Sequence, residues 1–310
     1  MQRLLLITPA RDEAAHLERT VRAVAAQTRP PDLWLIVDDG SRDGTPRLLE
    51  RLARQVPFLE ARNAPARDRA VAEDGLALAA EAVAFNTALA SVDADDFTHV
   101  GKLDADVELP PDYLERLLDA FDAEPALGIA GGVLLEREAG EWREARVPAN
   151  HVRGALKLYS RECLTAIGGV QERLGWDTID ETYARMRGFE TRSLPQMRAR
   201  HHRPVATRGG TLRGRARHGE CAYILRYGLW WVALRSLKVA CLRPRGLSGI
   251  AFLYGYARAA LRCQSRVEDE QYRRFVAREL RGRLRAATDL RARFQVREDE
   301  AKVPTFFMRS

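Results

Sequence analysis

Four short apolar-rich blocks, Leu4 to Thr8, Trp34 to Val37, Phe58 to Arg62 and Thr98 to Leu103, alternate with stretches where apolar residues recur at helical spacing. Unbroken apolar runs suit strands covered on both faces, and the intervening spacing suits helices that cover them. After the first block, Leu17, Val21, Val24 and Ala25 share one helical face. After the second, Thr45 reads as an N-cap, with Pro46 at the first helical position and Leu48, Leu49 and Leu52 turned inward. Residues 70 to 90 are alanine-rich and helical in character. A helix opening at Pro110-Pro111 carries Leu114, Leu117, Leu118 and Phe121 at i, i+3, i+4 and i+7. Gly128 to Leu135 reads as a strand, Val152 to Gly169 as strand then helix, and Gly175 to Gly188 as loop then helix. The alternation predicts an α/β fold, Rossmann-like, with a mostly parallel sheet flanked by helices. Ligands of such a sheet sit beyond the carboxyl ends of its strands.

The pattern changes after residue 203. Arg203 to Gly219 is dominated by Arg and Gly, while Tyr223 to Leu242 and Leu247 to Leu261 are apolar segments. Arg226, Arg235 and Lys238 interrupt the first of these, and the cost of inserting charge argues against a membrane-spanning helix. Glu268 to Arg297 reads as a charged helix. The expected organisation is residues 1–203 as the α/β domain, with halves 1–124 and 125–203, then 204–310 as a basic, helical C-terminal extension.

With 310 residues, 46% of them hydrophobic, the chain has enough apolar surface for a substantial core. Its net charge of +7, with arginine concentrated in the C-terminal third, points to an anionic partner or a solvated basic face. Four scattered cysteines without a CxxC pair fit a reduced compartment and exclude a structural zinc. The apolar run near Met1 is cut by Pro9, too short for a signal peptide or a span, so a cytoplasmic start is expected. Trp230-Trp231, among arginines in residues 223–262, suits peripheral contact with a membrane surface; a helical hairpin packed on the domain, or a dimer contact, is the alternative.

Two acidic clusters fall at predicted strand ends. Asp104-Ala105-Asp106 places two carboxylates where they can share a hard cation, Mg²⁺ or Mn²⁺. Asp93-Ala94-Asp95 has the same spelling but precedes its strand in a loop. Asp38 and Asp39 follow the second strand, where a carboxylate can hold a base or a ribose, or where Asp-Gly-Ser can simply turn the chain.

In combination, Thr8-Pro9-Ala10-Arg11-Asp12-Glu13, then Val37-Asp38-Asp39-Gly40-Ser41-Arg42-Asp43-Gly44-Thr45, then Lys102-Leu103-Asp104-Ala105-Asp106 with Leu109-Pro110-Pro111-Asp112-Tyr113-Leu114 resembles the family 2 glycosyltransferases of the GT-A fold. The resemblance implies a nucleotide-sugar-binding half over residues 1–124 and an acceptor half over 125–203. It assigns Pro9, Arg11 and Glu13 to the nucleoside pocket, Asp39 to the base, and Asp104 and Asp106 to the ribose and the metal-bound diphosphate. Lys102 shares a strand face with Asp104 and is expected to touch the donor, as is Arg62. Family members carry a catalytic carboxylate in an acidic pair after a Gly-rich acceptor segment. Here the segment is Gly168-Gly169, followed by Gly175-Trp176-Asp177-Thr178-Ile179-Asp180-Glu181. Asp180 is the best match, although Ile179 replaces the preceding acid, and Asp177 and Glu181 are rivals. Asp180 and Glu181 could instead start a helix.

His201-His202-Arg203 resembles a late metal or diphosphate segment, with His202 the expected ligand or else a structural histidine. Arg213 to Gly219 is expected to fold over the donor and clamp diphosphate, or to face solvent. The Gln/Arg-x-x-Arg-Trp motif of processive relatives is missing. The implied activity is metal-dependent, inverting transfer from a UDP- or GDP-sugar to a saccharide or lipid-linked hydroxyl, with one carboxylate as base, in cell-surface polysaccharide or glycolipid synthesis. The implied location is cytoplasmic or peripheral on the inner membrane face, without nucleic acid. A sugar-phosphate nucleotidyltransferase would need a Gly-rich, Arg/Lys-containing loop after the first strand, which is missing. A nucleic-acid or membrane-binding protein on a degenerate scaffold would not need Asp39, Asp104, Asp106 and Asp180.

Overall fold

The computed structural model describes residues 2–64, 79–138, 140–145, 147–203 and 210–288. The chain divides into two compact units, Met1–Thr211 and Leu212–Ser310. In chain order the first contains β1 (Leu4–Ala10), α1 (Leu17–Ala25), β2 (Leu33–Asp38), α2 (Thr45–Ala53), β3 (Leu59–Asn63) and α3 (Ala80–Leu89). There follow β4 (His99–Leu103), β5 (Val107–Glu108), α4 (Tyr113–Ala123), β6 (Leu127–Glu138), β7 (Glu141–Glu144), β8 (Leu156–Ser160), α5 (Arg161–Ala166), α6 (Trp176–Met186) and β9 (Glu190–His201). Of the helix expected over 70–90, residues 70–78 lie outside the described residues, and the rest forms α3.

The strands form one sheet in the order β3-β2-β1-β4-β8-β6-β9-β5, with β7 beside β6. β3, β2, β1 and β4 run parallel, β8 enters antiparallel between β4 and β6, and β6 and β9 are again parallel. Alternation along β1 sends Leu4 and Leu6 into one core, with Leu17, Val21, Leu49, Leu117 and Leu118. Leu5 and Ile7 enter the other, with Phe85, Val100, Tyr159 and Trp176. This helix, sheet, helix layering explains why the strand blocks read as continuous apolar runs. Thr45 is the first residue of α2 and Gly44 occupies the cap position. Asp43 is the capping side chain, accepting from the Thr45 amide at 2.9 Å and from its hydroxyl at 2.5 Å. The Thr45 hydroxyl, turned inward, accepts from the Glu13 amide at 2.8 Å and ties the chain after β1 to α2.

Among the described residues the second unit is helical, with α7 (Thr211–Ile224), α8 (Leu229–Ala240), α9 (Leu247–Leu261) and α10 (Glu270–Thr288). Arg213 to Gly219, expected as a fold-over segment, is part of α7. α8 and α9 pack through small residues. A Cβ on Gly249 would lie 2.8 Å from the Ala240 Cβ, and one on Gly255 would lie 1.8 Å from the Ala216 carbonyl oxygen of α7.

Candidate active site

The carboxyl ends of β1, β2 and β4 lie side by side, in the order their pairing dictates. Beyond β1 and β2, Arg11 Nη1 stands 4.0 Å from Asp39 Oδ2, both side chains partly open, and the Asp39 amide donates to the Ala10 carbonyl at 2.9 Å. Asp38 turns inward and accepts from the Ser41 amide at 3.2 Å, so the adjacent aspartates divide the work of making the turn and facing outward. Pro9 is half-buried in register with Val37, and Arg62, in register with the same residue from β3, is exposed and paired with Glu60 at 2.5 Å.

After β4 the chain turns through Asp104-Ala105-Asp106. The Asp104 amide donates to Ala155, and the Thr20 hydroxyl of α1 donates to the Ala105 carbonyl at 2.8 Å, so the turn is held from both sides. Asp104, Asp106 and His201 each offer a ligating atom within 4.8 Å of the others. His201 Nε2 is 3.2 Å from Asp106 Oδ1, and its Nδ1 is 3.6 Å from Glu136, which Arg153 also holds at 2.9 Å. Burial opposes charge on this imidazole, but the nearby carboxylates of Asp106 and Glu136 outweigh it and push its pKa up to about 9. Burial pushes Asp104 up to about 6, against the pull of the Lys102 ammonium. Arg203 donates to Asp106 Oδ2 at 3.1 Å and to Glu13, so Glu13 is tied down beneath the site.

Two carboxylates and an imidazole make a donor set that fits Mg²⁺ through oxygen, or Mn²⁺ through oxygen and nitrogen. Ligation would need the neutral imidazole, so a metal would displace the proton that His201 shares with Asp106. The imidazole beside the aspartates is His201 rather than His202, whose Nε2 is 2.6 Å from Glu108 and whose ring packs edge-on to Trp142 at 5.3 Å. Asp93 caps the short turn Ala94–Asp96 by accepting from the Asp95 amide.

Lys102 is 2% exposed, and its ammonium donates to Asp104, to Glu81 at 3.1 Å and to the Gly154 carbonyl at 2.9 Å. Expected to touch the donor, Lys102 is enclosed in this structure and holds the Asp104 carboxylate. Its neighbour in register, Lys157, is also buried and donates to both Asp180 oxygens at 2.9 Å, with Glu181 at 3.1 Å. Tyr159 donates to Asp180 at 2.5 Å. Burial works against charge on Lys157, but these carboxylates prevail and raise its pKa. Asp180, expected as the base, is 2% exposed and fully engaged on the buried face of α6. Glu181 is equally enclosed, bonded to the Val152 amide at 2.6 Å and to His151 at 2.8 Å.

Of the three expected carboxylates, only Asp177, in the first turn of α6, is partly open. It adjoins Gly154: a Cβ there would lie 3.3 Å from the Asp177 Cβ and 2.9 Å from the Trp176 ring. Trp176 is itself buried, with the Lys102 and Lys157 ammoniums 5.3 and 5.5 Å from its ring centroid. Gly168 and Gly169, at φ +76° and +81°, end α5 in the left-handed conformation, with their amides returned to Thr165 and Leu164.

Beta-monoglucosyldiacylglycerol synthase of Synechocystis sp. is 30% identical over 199 residues, covering 57% of this chain and 39% of the relative, so the match spans well under half of that protein. The mannosyltransferase PcManGT of Pyrobaculum calidifontis, in complex with GDP-Man and Mn²⁺, superposes with a TM-score of 0.55 at 21% identity, covering 96% of this chain and 79% of that one. TarS 1-349 of S. aureus superposes with a TM-score of 0.52 at 13% identity, covering 85% and 73%. These two share the fold. Residues 5–161, from β1 through the acidic strand-end clusters to the start of α5, match the profile of glycosyl transferase family 2, and the chain belongs to that family.

Proposed function

We propose that this chain transfers a sugar from a nucleoside diphosphate donor to an acceptor hydroxyl, with inversion, using a divalent cation at Asp104, Asp106 and His201. The observation that carries the reading is the meeting of those three ligating atoms within 4.8 Å, one strand from the Arg11 and Asp39 pair. Asp39 and Arg11, over Pro9, take the nucleoside. The cation, when bound, neutralises diphosphate charge. Lys102 fixes the Asp104 carboxylate from below, and Arg203 fixes Asp106 and Glu13.

Asp177 is the base in this reading, because it is the open carboxylate next to the anchor of Lys102. It takes the proton as the acceptor oxygen bonds to the anomeric carbon, while the bond to the diphosphate breaks and its electron pair leaves with the nucleotide. Asp180 acts through position, holding the start of α6 on Lys157. The donor is a UDP- or GDP-sugar. The acceptor is a saccharide or lipid-linked hydroxyl of a cell-surface glycan, and the glycolipid in the name of the cyanobacterial relative supports the lipid option. Four free cysteines support a cytoplasmic setting.

The test is thermal stabilisation by a panel of UDP- and GDP-sugars with and without Mn²⁺, the ion of the mannosyltransferase complex. Saturating ligand at about 100 times Kd stabilises by about 2.7 kcal/mol. A shift that needs both metal and one nucleotide sugar, and is lost in Asp106→Asn, is the expected result. Equal shifts with and without metal would remove the cation from the mechanism.

A further inference from the structure

We propose that the α8–α9 hairpin is an interfacial docking surface for an anionic lipid bilayer, a function that stands apart from the transfer chemistry and is read without donor. The hairpin inverts the usual placement of side-chain size. Toward its neighbours α9 turns Ser248, Gly249, Phe252, Gly255 and Ala259, while Leu247, Ile250, Tyr254 and Leu261 point outward at 53%, 64%, 60% and 86% exposure. α8 does the same, burying Val232, Ser236 and Val239 and exposing Leu229, Trp230, Leu234 and Leu237. Helices associated in water bury their large apolar residues, whereas helices whose outer face meets lipid associate through small ones.

Charge identifies the occupant. Residues 226–262 contain Arg226, Arg235, Lys238, Arg243, Arg245, Arg258 and Arg262 and no Asp or Glu. Arg235, Lys238, Arg243, Arg245 and Arg262 are all exposed. An apolar stripe flanked by long basic side chains, with Trp230 and Trp231 ring to ring at 5.7 Å, matches the acyl, headgroup and phosphate layers of an anionic membrane. A second copy of the chain would bring the same set of cations against itself. Helices of 12 and 15 residues extend only about 18 and 22 Å, short of the ~30 Å hydrocarbon core, so the hairpin lies in the interface rather than crossing it.

The experiment is flotation of the full chain with vesicles of phosphatidylcholine alone and of phosphatidylcholine containing one third phosphatidylglycerol. Salt is raised from about 0.1 M to about 1 M, shortening the Debye length from about 10 to 3 Å. Binding to the anionic vesicles is expected, weakened by salt. Arg235→Glu with Lys238→Glu should weaken it by at least about fivefold per residue changed. Leu237→Glu with Ile250→Glu, both outward, should abolish it while leaving the melting temperature and far-ultraviolet dichroism of the chain unchanged. No binding by the unmodified chain, or equal binding by the leucine and isoleucine variant, overturns the proposal. So does a salt-stable dimer by light scattering that the same variant dissociates, which would make the face a subunit contact.

Discussion

The two units place their side chains by opposite rules. In the first, Lys102, Lys157, Asp106, Asp180 and Glu181 are all at most 4% exposed. In the second, α8 and α9 bury mostly small residues, serine, glycine and alanine beside Val232, Val239 and Phe252, and leave leucines in the open. Buried charge survives in the first because each ammonium meets carboxylates and a carbonyl within 3.1 Å, and an unpaired partner would cost several kcal/mol. Exposed leucine in the second is stable because the close approach of Gly249 and Gly255 holds the helices together without it. One sequence thus builds a rigid interior for orienting reactive groups and a surface suited to a less polar medium.

The sharpest break in the first rule is at α6. Asp177→Asn should lower turnover by about 10²–10⁴-fold and leave metal-dependent donor stabilisation intact. A folded Asp180→Asn enzyme with that kinetic signature, beside an active Asp177→Asn, would return the base to Asp180. Next in size is Lys157→Met, which strands Asp180 and Glu181 and should cost about 3–5 kcal/mol in urea unfolding. Against it stands Gly255→Val in the second unit, whose Cβ would meet the Ala216 carbonyl; about 3 kcal/mol is expected, through displaced helices rather than stranded charge. By contrast, Leu261→Gln on the outward face should change stability by no more than about 0.5 kcal/mol in water.

A smaller effect comes from His99, 7% exposed, where burial lowers the pKa from 6.5 to about 4 against the attraction of Asp122. Between pH 4 and 6.5 the unfolded chain binds the extra proton, so stability rises with pH across that window and falls as pH drops through it. The swing is on the order of 3 kcal/mol. Urea midpoints measured from pH 7 to 4 should show this slope, and His99→Gln should flatten it.

Much of the candidate site's placement was legible in the chain, and some of what was not read had left a signal. Met197, Ala199 and His201 alternate with Arg198, Arg200 and His202, and this two-residue period marks His201 as the inward imidazole. Trp176, Ile179, Asp180 and Ala184 recur at helical spacing, which places Asp180 on the buried face of α6 and leaves Asp177 off it. Lys102 gave no such warning. Alternation put it on the Asp104 face correctly, but its burial depends on Glu81 and on the Gly154 carbonyl, from elements distant in the chain.

The sequence by itself determined the strand and helix alternation, the acidic turns at strand ends and the family motifs. These depend on local periodicity and on turn residues, which act over a few positions. Only the tertiary structure decided which carboxylate is open, which histidine joins the aspartates and which leucines lack a cover. Each of those depends on what packs against a side chain from elsewhere in the fold, and one residue type can be sealed by an ammonium at one position and face solvent three residues away.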